Sequence, residues 1–191
     1  MGIGHTRWAT HGEPNTTNAH PHLSMTGDIV LVHNRIVENF SELRDQLISD
    51  GVKFKSETDT EVIVHLIEKF YNPDFSLTSA VQETLRHLKG AHGLVAFSKN
   101  EPDKMIAARI GNAGGVVIGY GEKEMYVASD LPAILKHTRK VVFLESRQMA
   151  VISQNGCQVM TTEGEIVQPA VQNVPWDPVS AEKGEYRHFM H

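Results

Sequence analysis

A single α+β domain is what this 191-residue chain predicts. Three observations point there. One strongly apolar segment, "DIVLVHN" at Asp28–Asn34, reads as a strand buried on both faces; three amphipathic helical segments follow it; and after Gly90 short alternating segments separated by turn signals run almost to the end. Strands, then helices, then strands is the order of an α+β or layered α/β domain rather than of repeated βαβ units. Hydrophobic residues make up 40% of the chain and charged residues 21%, enough to build a core.

The elements follow in order. Residues 1–28 are rich in Gly, Pro, Asn, Thr and His and read as loop, with a short strand predicted at Ile3–Trp8. In "NFSELRDQLISDG" the period changes. Asn39 and Glu42 have capping-box spacing, Phe40, Leu43 and Leu47 share a face, and Gly51 supplies the stop. "VKFK" (Val52–Lys55) alternates like a short strand. A second helix opens at Thr58 with Glu61 as its box partner and turns Val62, Ile63, Leu66, Ile67 and Phe70 inward. A third covers Ser76–Leu88, with Leu77, Val81, Leu85 and Leu88 inward. Strands are predicted at Gly93–Ser98, Lys104–Arg109, Gly115–Tyr120, Met125–Ala128, Lys140–Leu144, Gln148–Ser153, Cys157–Thr161 and Glu165–Val167, with a short helix at Leu131–Leu135. From Gln172 the apolar pattern fades, so residues 1–171 read as the domain and 172–191 as a linker.

Several function classes are disfavoured. The net charge of −5 and the absence of a Lys/Arg block argue against nucleic acid as partner. No apolar run approaches the ~18 residues of a membrane span. A lone cysteine, Cys157, and no signal-like start fit a reducing, cytoplasmic setting. The myristoylation-like start and the sequons at Asn15 and Asn39 are discounted on the same ground.

The polar residues that packing does not explain fall in four places: Arg7, Trp8, Thr10 and His11; "NAHPH" at Asn18–His22; His33-Asn34-Arg35 at the end of the buried strand; and Thr58-Asp59-Thr60 at a helix start. Arg7 offers a fork for a carboxylate. Asp59 can accept from an ammonium. Together they suit the two charged ends of an α-amino acid, and Asn34 can donate its amide toward a developing oxyanion. The alternatives are a structural Arg7–Asp59 ion pair, or an Asp59 that only supports its helix N-terminus. His5, His11, His20, His22 and His33 could in principle hold a metal. There is no HExxH, no cysteine partner and no carboxylate at fixed spacing, so neither metal nor cofactor is expected. Cys157 has no neighbouring base in sequence and reads as a packed thiol.

At these four places the chain closely resembles the glutaminase domain of the glutamine–fructose-6-phosphate aminotransferase family, a class II glutamine amidotransferase. The resemblance is carried by "GHTRWATHGEP", "NAHPH", "VHN", "SETDTEV", "AARIGN", "ASD" and "KGEYRHFM", and spans residues 2–190. It implies an N-terminal-nucleophile hydrolase fold, a four-layer αββα sandwich, incomplete here at the N-terminus. It also implies release of ammonia from glutamine for synthesis of glucosamine 6-phosphate from fructose 6-phosphate on a sugar-isomerase domain, in a homodimer. Residue by residue, Arg7 would hold the α-carboxylate with Thr10 and His11 nearby. Asp59 would hold the α-ammonium, Asn34 would supply an oxyanion donor, and Trp8 would sit on a loop that closes the pocket.

Three departures accompany the resemblance. The family's nucleophile is a cysteine at the mature N-terminus, ahead of the first motif, and the chain as written is expected to lack it and to be inactive alone. The family's glycine after the oxyanion asparagine is Arg35 here, placed at the pocket and able to crowd it or add charge. The isomerase domain is expected to lie outside the chain. A partial sandwich is expected to expose strand edges and to pair with another chain or be marginally stable. The competing reading is a catalytically silent amino-acid-binding or structural domain.

Overall fold

A computed structural model describes residues 1–7 and 12–175. The strongly apolar segment forms β2 (Ile29–Asn34), flanked by β1 (His22–Leu23) and β3 (His92–Ser98). The sheet continues through β4 (Met105–Ile110), β8 (Gln148–Ser153), β9 (Gly156–Thr161) and β10 (Ile166–Val167) in the order β1-β2-β3-β4-β8-β9-β10. A second sheet has the order β11-β7-β5-β6, from β5 (Val117–Tyr120), β6 (Met125–Ala128), β7 (Lys140–Phe143) and β11 (Gln172–Asn173). All neighbours in both sheets are antiparallel.

Period-two alternation sorts each strand between layers. Ile29, Leu31, Leu94, Ala96, Ile106 and Ala108 pack under the helices α1 (Phe40–Ser49), α2 (Asp59–Phe70) and α3 (Leu77–His87). Ala107, Ala150, Ile152 and Val159 face the second sheet and meet Val116, Ile118, Val142 and Leu144. Val117 and Val141, on the far side of that sheet, are covered by Leu131, Ile134 and Leu135 around a 3-10 turn at Leu131–Ala133. The layers therefore run helices, sheet, sheet, with one short turn as the outer cover among the described residues.

The local expectations fare unevenly. Thr58 caps α2, its hydroxyl accepting from the Glu61 N–H at 3.4 Å. Glu61 does not return the bond to Thr58. Its carboxylate accepts instead from Lys55 N (2.7 Å), Ser56 N and Ser56 Oγ (both 2.6 Å). Ser56 satisfies Thr58 N from its own hydroxyl at 3.3 Å. The expected box at α1 is absent. Asn39 makes no side-chain cap and spends its amide on the end of α3, donating to His87 O and accepting from Lys89 N, both at 2.9 Å. Gly51, at φ 90°, stops α1 as expected, with Val52 N returning to Leu47 O at 2.9 Å.

Val52–Lys55 is not a strand: its backbone feeds Glu61 rather than a neighbouring strand. Residues 3–7 of the expected first strand are likewise irregular, and Trp8 lies outside the described residues. At the other end the sheet runs past the expected boundary, since β11 pairs with β7 and Val174 is buried. Residues 176–191 lie outside the described residues.

Candidate functional site

The end of β2 and the start of α2 meet at a cavity of about 410 Å³. Arg7, Asn34, Arg35 and Asp59 all line it, with His20, His33, Thr58 and Thr60 among its other walls. The four expected site residues inside the described range are thus in one place. Trp8, Thr10 and His11, expected beside them, lie outside the described residues.

Asp59 is buried as the first residue of α2, and one of its oxygens accepts from Val37 N at 2.7 Å. Its carboxylate reaches across to the loop after β2 rather than capping its own helix, a task Thr58 performs. The Arg7 guanidinium is oriented by two carbonyls, donating from Nη1 to Glu13 O at 3.0 Å and from Nη2 to Gly12 O at 3.1 Å.

Asn34 owes its orientation to a residue the sequence reading left out of the site. The backbone N–H of Arg7 donates to His5 Nδ1 at 2.8 Å, so that nitrogen carries no proton. His5 Nε2 must then carry it, and it lies 2.8 Å from Asn34 Oδ1. The amide oxygen is thereby taken and the Asn34 NH2 group is left as a donor at the cavity wall. His5 sits within "GHTRWATHG", two residues before Arg7; the signal was present, but its partner is 29 residues away.

A second chain fixes the neighbouring histidines. His92 Nε2 lies 3.1 Å from the carbonyl of Lys89, which can only accept, so His92 donates there and Nδ1 is bare. His33 Nε2 then donates to His92 Nδ1 at 3.1 Å, Thr60 Oγ1 donates to His33 Nδ1 at 3.1 Å, and His20 Nε2 donates to Thr60 Oγ1 at 3.0 Å. The direction of every bond follows from the one carbonyl at the end. His20 Nδ1 is left as a buried acceptor without a partner among the described residues.

Burial keeps these rings neutral. It holds His20 down to about 3, helped by the charges of His5, His22 and Arg7, and His22 down to about 4 against the pull of Glu61. Burial likewise holds His33 far below the ordinary histidine value and lowers His92.

"NAHPH" turns out to be a support for the Asp59 turn. Its alternate residues all reach the segment that starts α2. Asn18 exchanges bonds with Glu57, donating to Oε2 at 3.0 Å and accepting from N at 2.9 Å. His20 meets Thr60, and His22 Nε2 lies 3.0 Å from Thr58 Oγ1. The three residues lie two apart, but residues 17–20 form a turn and bend and only His22 enters β1, so strand alternation in the sequence does not explain their shared direction. Among the described residues no three His, Cys, Asp or Glu side chains are arranged to hold a metal ion.

Two non-glycine residues of the cavity have left-handed backbones, Arg7 at φ 50° and Arg35 at φ 88°. Arg35 thus adopts, with a side chain, the conformation that glycine adopts without strain. Cys157 is remote from all this. It lies between the two sheets, its Sγ 2.9 Å from Tyr120 Oη, and burial raises its pKa, so it is a packed thiol there.

Comparison with known proteins converges on one class. Residues 5–136 match the family model for a glutamine amidotransferase domain. The glutamine–fructose-6-phosphate aminotransferase (isomerizing) of Aquifex aeolicus is 47% identical over 189 residues, 99% of this chain and 31% of that one. The enzyme of the same name from Symbiobacterium thermophilum is 48% identical over 190 residues, 100% of this chain and 30% of that one. The chain therefore spans about a third of the length of these relatives. Among solved structures, the glutamine phosphoribosylpyrophosphate amidotransferase of B. subtilis superposes with a TM-score of 0.69 at 27% identity, covering 85% of this chain and 35% of that one. A structure described as the allosteric regulatory enzyme of purine biosynthesis gives 0.70 at 28%, covering 83% and 34%.

Proposed function

Since the chain belongs to the glutamine amidotransferase domain family, we propose that its cavity binds glutamine by both charged ends and polarises the side-chain amide for release of ammonia. Arg7 takes the α-carboxylate, Asp59 the α-ammonium, and the Asn34 NH2 group donates to the oxygen that gains charge when the amide is attacked. The observation that carries this reading is that His5 occupies the amide oxygen of Asn34, which leaves only donors on the side chain, in the same cavity as a guanidinium and a buried carboxylate.

The described cavity residues include no thiol. These residues are therefore assigned recognition and oxyanion stabilisation, and the attack is assigned to none of them. The ammonia would serve the amination of fructose 6-phosphate by a sugar-isomerase domain, within a cytoplasmic homodimer. The amination step and the further domain are supported by the names of the relatives and the fraction of their length that this chain spans; the cytoplasm and the homodimer rest on the family resemblance alone. No helix among the described residues is long and apolar enough to cross a membrane.

Titration calorimetry with L-glutamine tests the reading. Arg7→Ala and Asp59→Asn should each weaken binding at least about tenfold, since each removes a charge-assisted contact worth about 1.5–3 kcal/mol. Unchanged affinity in both variants would refute it.

A further inference from the structure

The charges around the cavity do not balance for glutamine. Among the described residues its charged walls are Arg7, Arg35 and Asp59. His20 and His33 are held neutral by burial. A zwitterionic amino-acid head occupies Arg7 and Asp59 together and leaves one cation over. That cation is Arg35, which is exposed and makes no hydrogen bond or ion pair among the described residues. It follows Asn34 directly in the chain, so it borders the part of the cavity assigned to the far end of the ligand's side chain. Its left-handed φ of 88° is a conformation that strains a residue bearing a side chain, and it is adopted at the cavity wall rather than at a solvent turn remote from it.

We propose that Arg35 makes this cavity selective for an α-amino acid whose side chain ends in a carboxylate, and so for L-glutamate over L-glutamine. This rests on the amino-acid reading of Arg7 and Asp59 given above. The head group is gripped as that reading has it. The γ-carboxylate then pairs with the guanidinium of Arg35 and accepts from the Asn34 NH2 group, both of which suit an anion better than a neutral amide. The site would hold the product of amide hydrolysis more firmly than the substrate, and glutamate at cellular concentration would compete for it.

The test uses the 191-residue chain, calorimetry at low and moderate salt, and three probes: L-glutamate, L-glutamine and glutarate. The parent chain should bind L-glutamate at least tenfold more tightly than L-glutamine, a difference of about 1.4 kcal/mol. The preference should narrow as salt rises, because Arg35 is exposed. Glutarate, which lacks the α-ammonium, should bind more weakly than L-glutamate. Arg35→Gln keeps the strained backbone and removes the charge, and Arg35→Gly removes both. Each should bring the two amino acids within threefold of one another, whereas Arg35→Lys should retain most of the preference.

Equal affinities in the parent, or a preference that survives Arg35→Gln, would overturn the role of Arg35. The amino-acid reading would then still stand if Arg7→Ala abolished binding of both ligands. Failure of the parent chain to bind either amino acid would overturn both readings together.

Discussion

Lowering the pH from 7 to 5 should destabilise this domain through its buried histidines. Burial depresses His20 to about 3 and His22 to about 4, and His33 lies well below its ordinary value of 6.5. The unfolded chain takes up protons on these rings as pH falls through 6.5, while the folded chain does not. Depressed histidine pKa values therefore contribute no penalty at high pH and a growing one below 6.5, continuing until the folded values are reached. At pH 5 a single fully buried ring of this kind costs about 2 kcal/mol. Solvent screening trims the half-buried His20, and coupling between the rings trims the total, to on the order of 4 kcal/mol. That is a large part of the 5–15 kcal/mol typical of a whole domain. Urea unfolding at pH 7, 6 and 5, followed by circular dichroism, should give midpoints that fall steeply at constant m. Calorimetric proton uptake on unfolding at pH 5 should approach three. A midpoint flat from pH 7 to 5, or uptake below one proton, would refute the neutral, buried chain derived above.

Other perturbations separate the remaining parts. Glu61, held down to about 2 by four donors despite its burial, should show the opposite sign: its contribution is full above 4.5 and lost as pH falls toward 2. Glu61→Gln should cost about 2–3 kcal/mol at pH 7 by urea midpoint, a gap that closes below pH 4. Thr60→Val removes the hydroxyl between His20 and His33 at equal volume and should cost about 2–4 kcal/mol in the same assay, with two buried nitrogens left unsatisfied. Cys157 should react with iodoacetamide more slowly than a free thiol at pH 8, because burial raises its pKa, and Cys157→Ala should leave amino-acid affinity unchanged. Alkylation of Cys157 at the rate of free cysteine would show it is not packed between the sheets.

How much was legible depended on how local each cause was. Strand β2 and helices α2 and α3 were readable because period and cap sit within one short window: Thr58 with Glu61, and Ser76 with Ser79. The cap of α1 was misread because Asn39 answers to the end of α3, nearly fifty residues on. Val52–Lys55 alternates like a strand yet has no strand beside it, and its backbone is claimed by a buried carboxylate that propensity does not register. The site shows the same division. Arg7, Asn34 and Asp59, picked out by their chemistry, line one cavity. His5 was left out of the site and Thr60 was singled out without a role, because each acts by holding something else across 27–40 residues of chain.

Those two residues explain how a loop, a strand end and a helix start come together at one cavity. His33 and Asn34 are neighbours on β2, so adjacent side chains point to opposite faces of the sheet. On one face His33 is tied through Thr60 to the first turn of α2, where Asp59 lies. On the other Asn34 is tied through His5 to the backbone of Arg7. The strand end is thus a bracket: through it, the carboxylate proposed to meet the ammonium and the guanidinium proposed to meet the carboxylate are tied to one strand end. Every link is a neutral hydrogen bond whose direction is set by a backbone group at its end, Lys89 O in one case and Arg7 N in the other. Neither of these two arms is itself built on an ion pair: both run through histidine rings, a hydroxyl or an amide, and backbone groups. A site built this way keeps its geometry over the range in which the histidines stay neutral, and loses it when they are forced to charge.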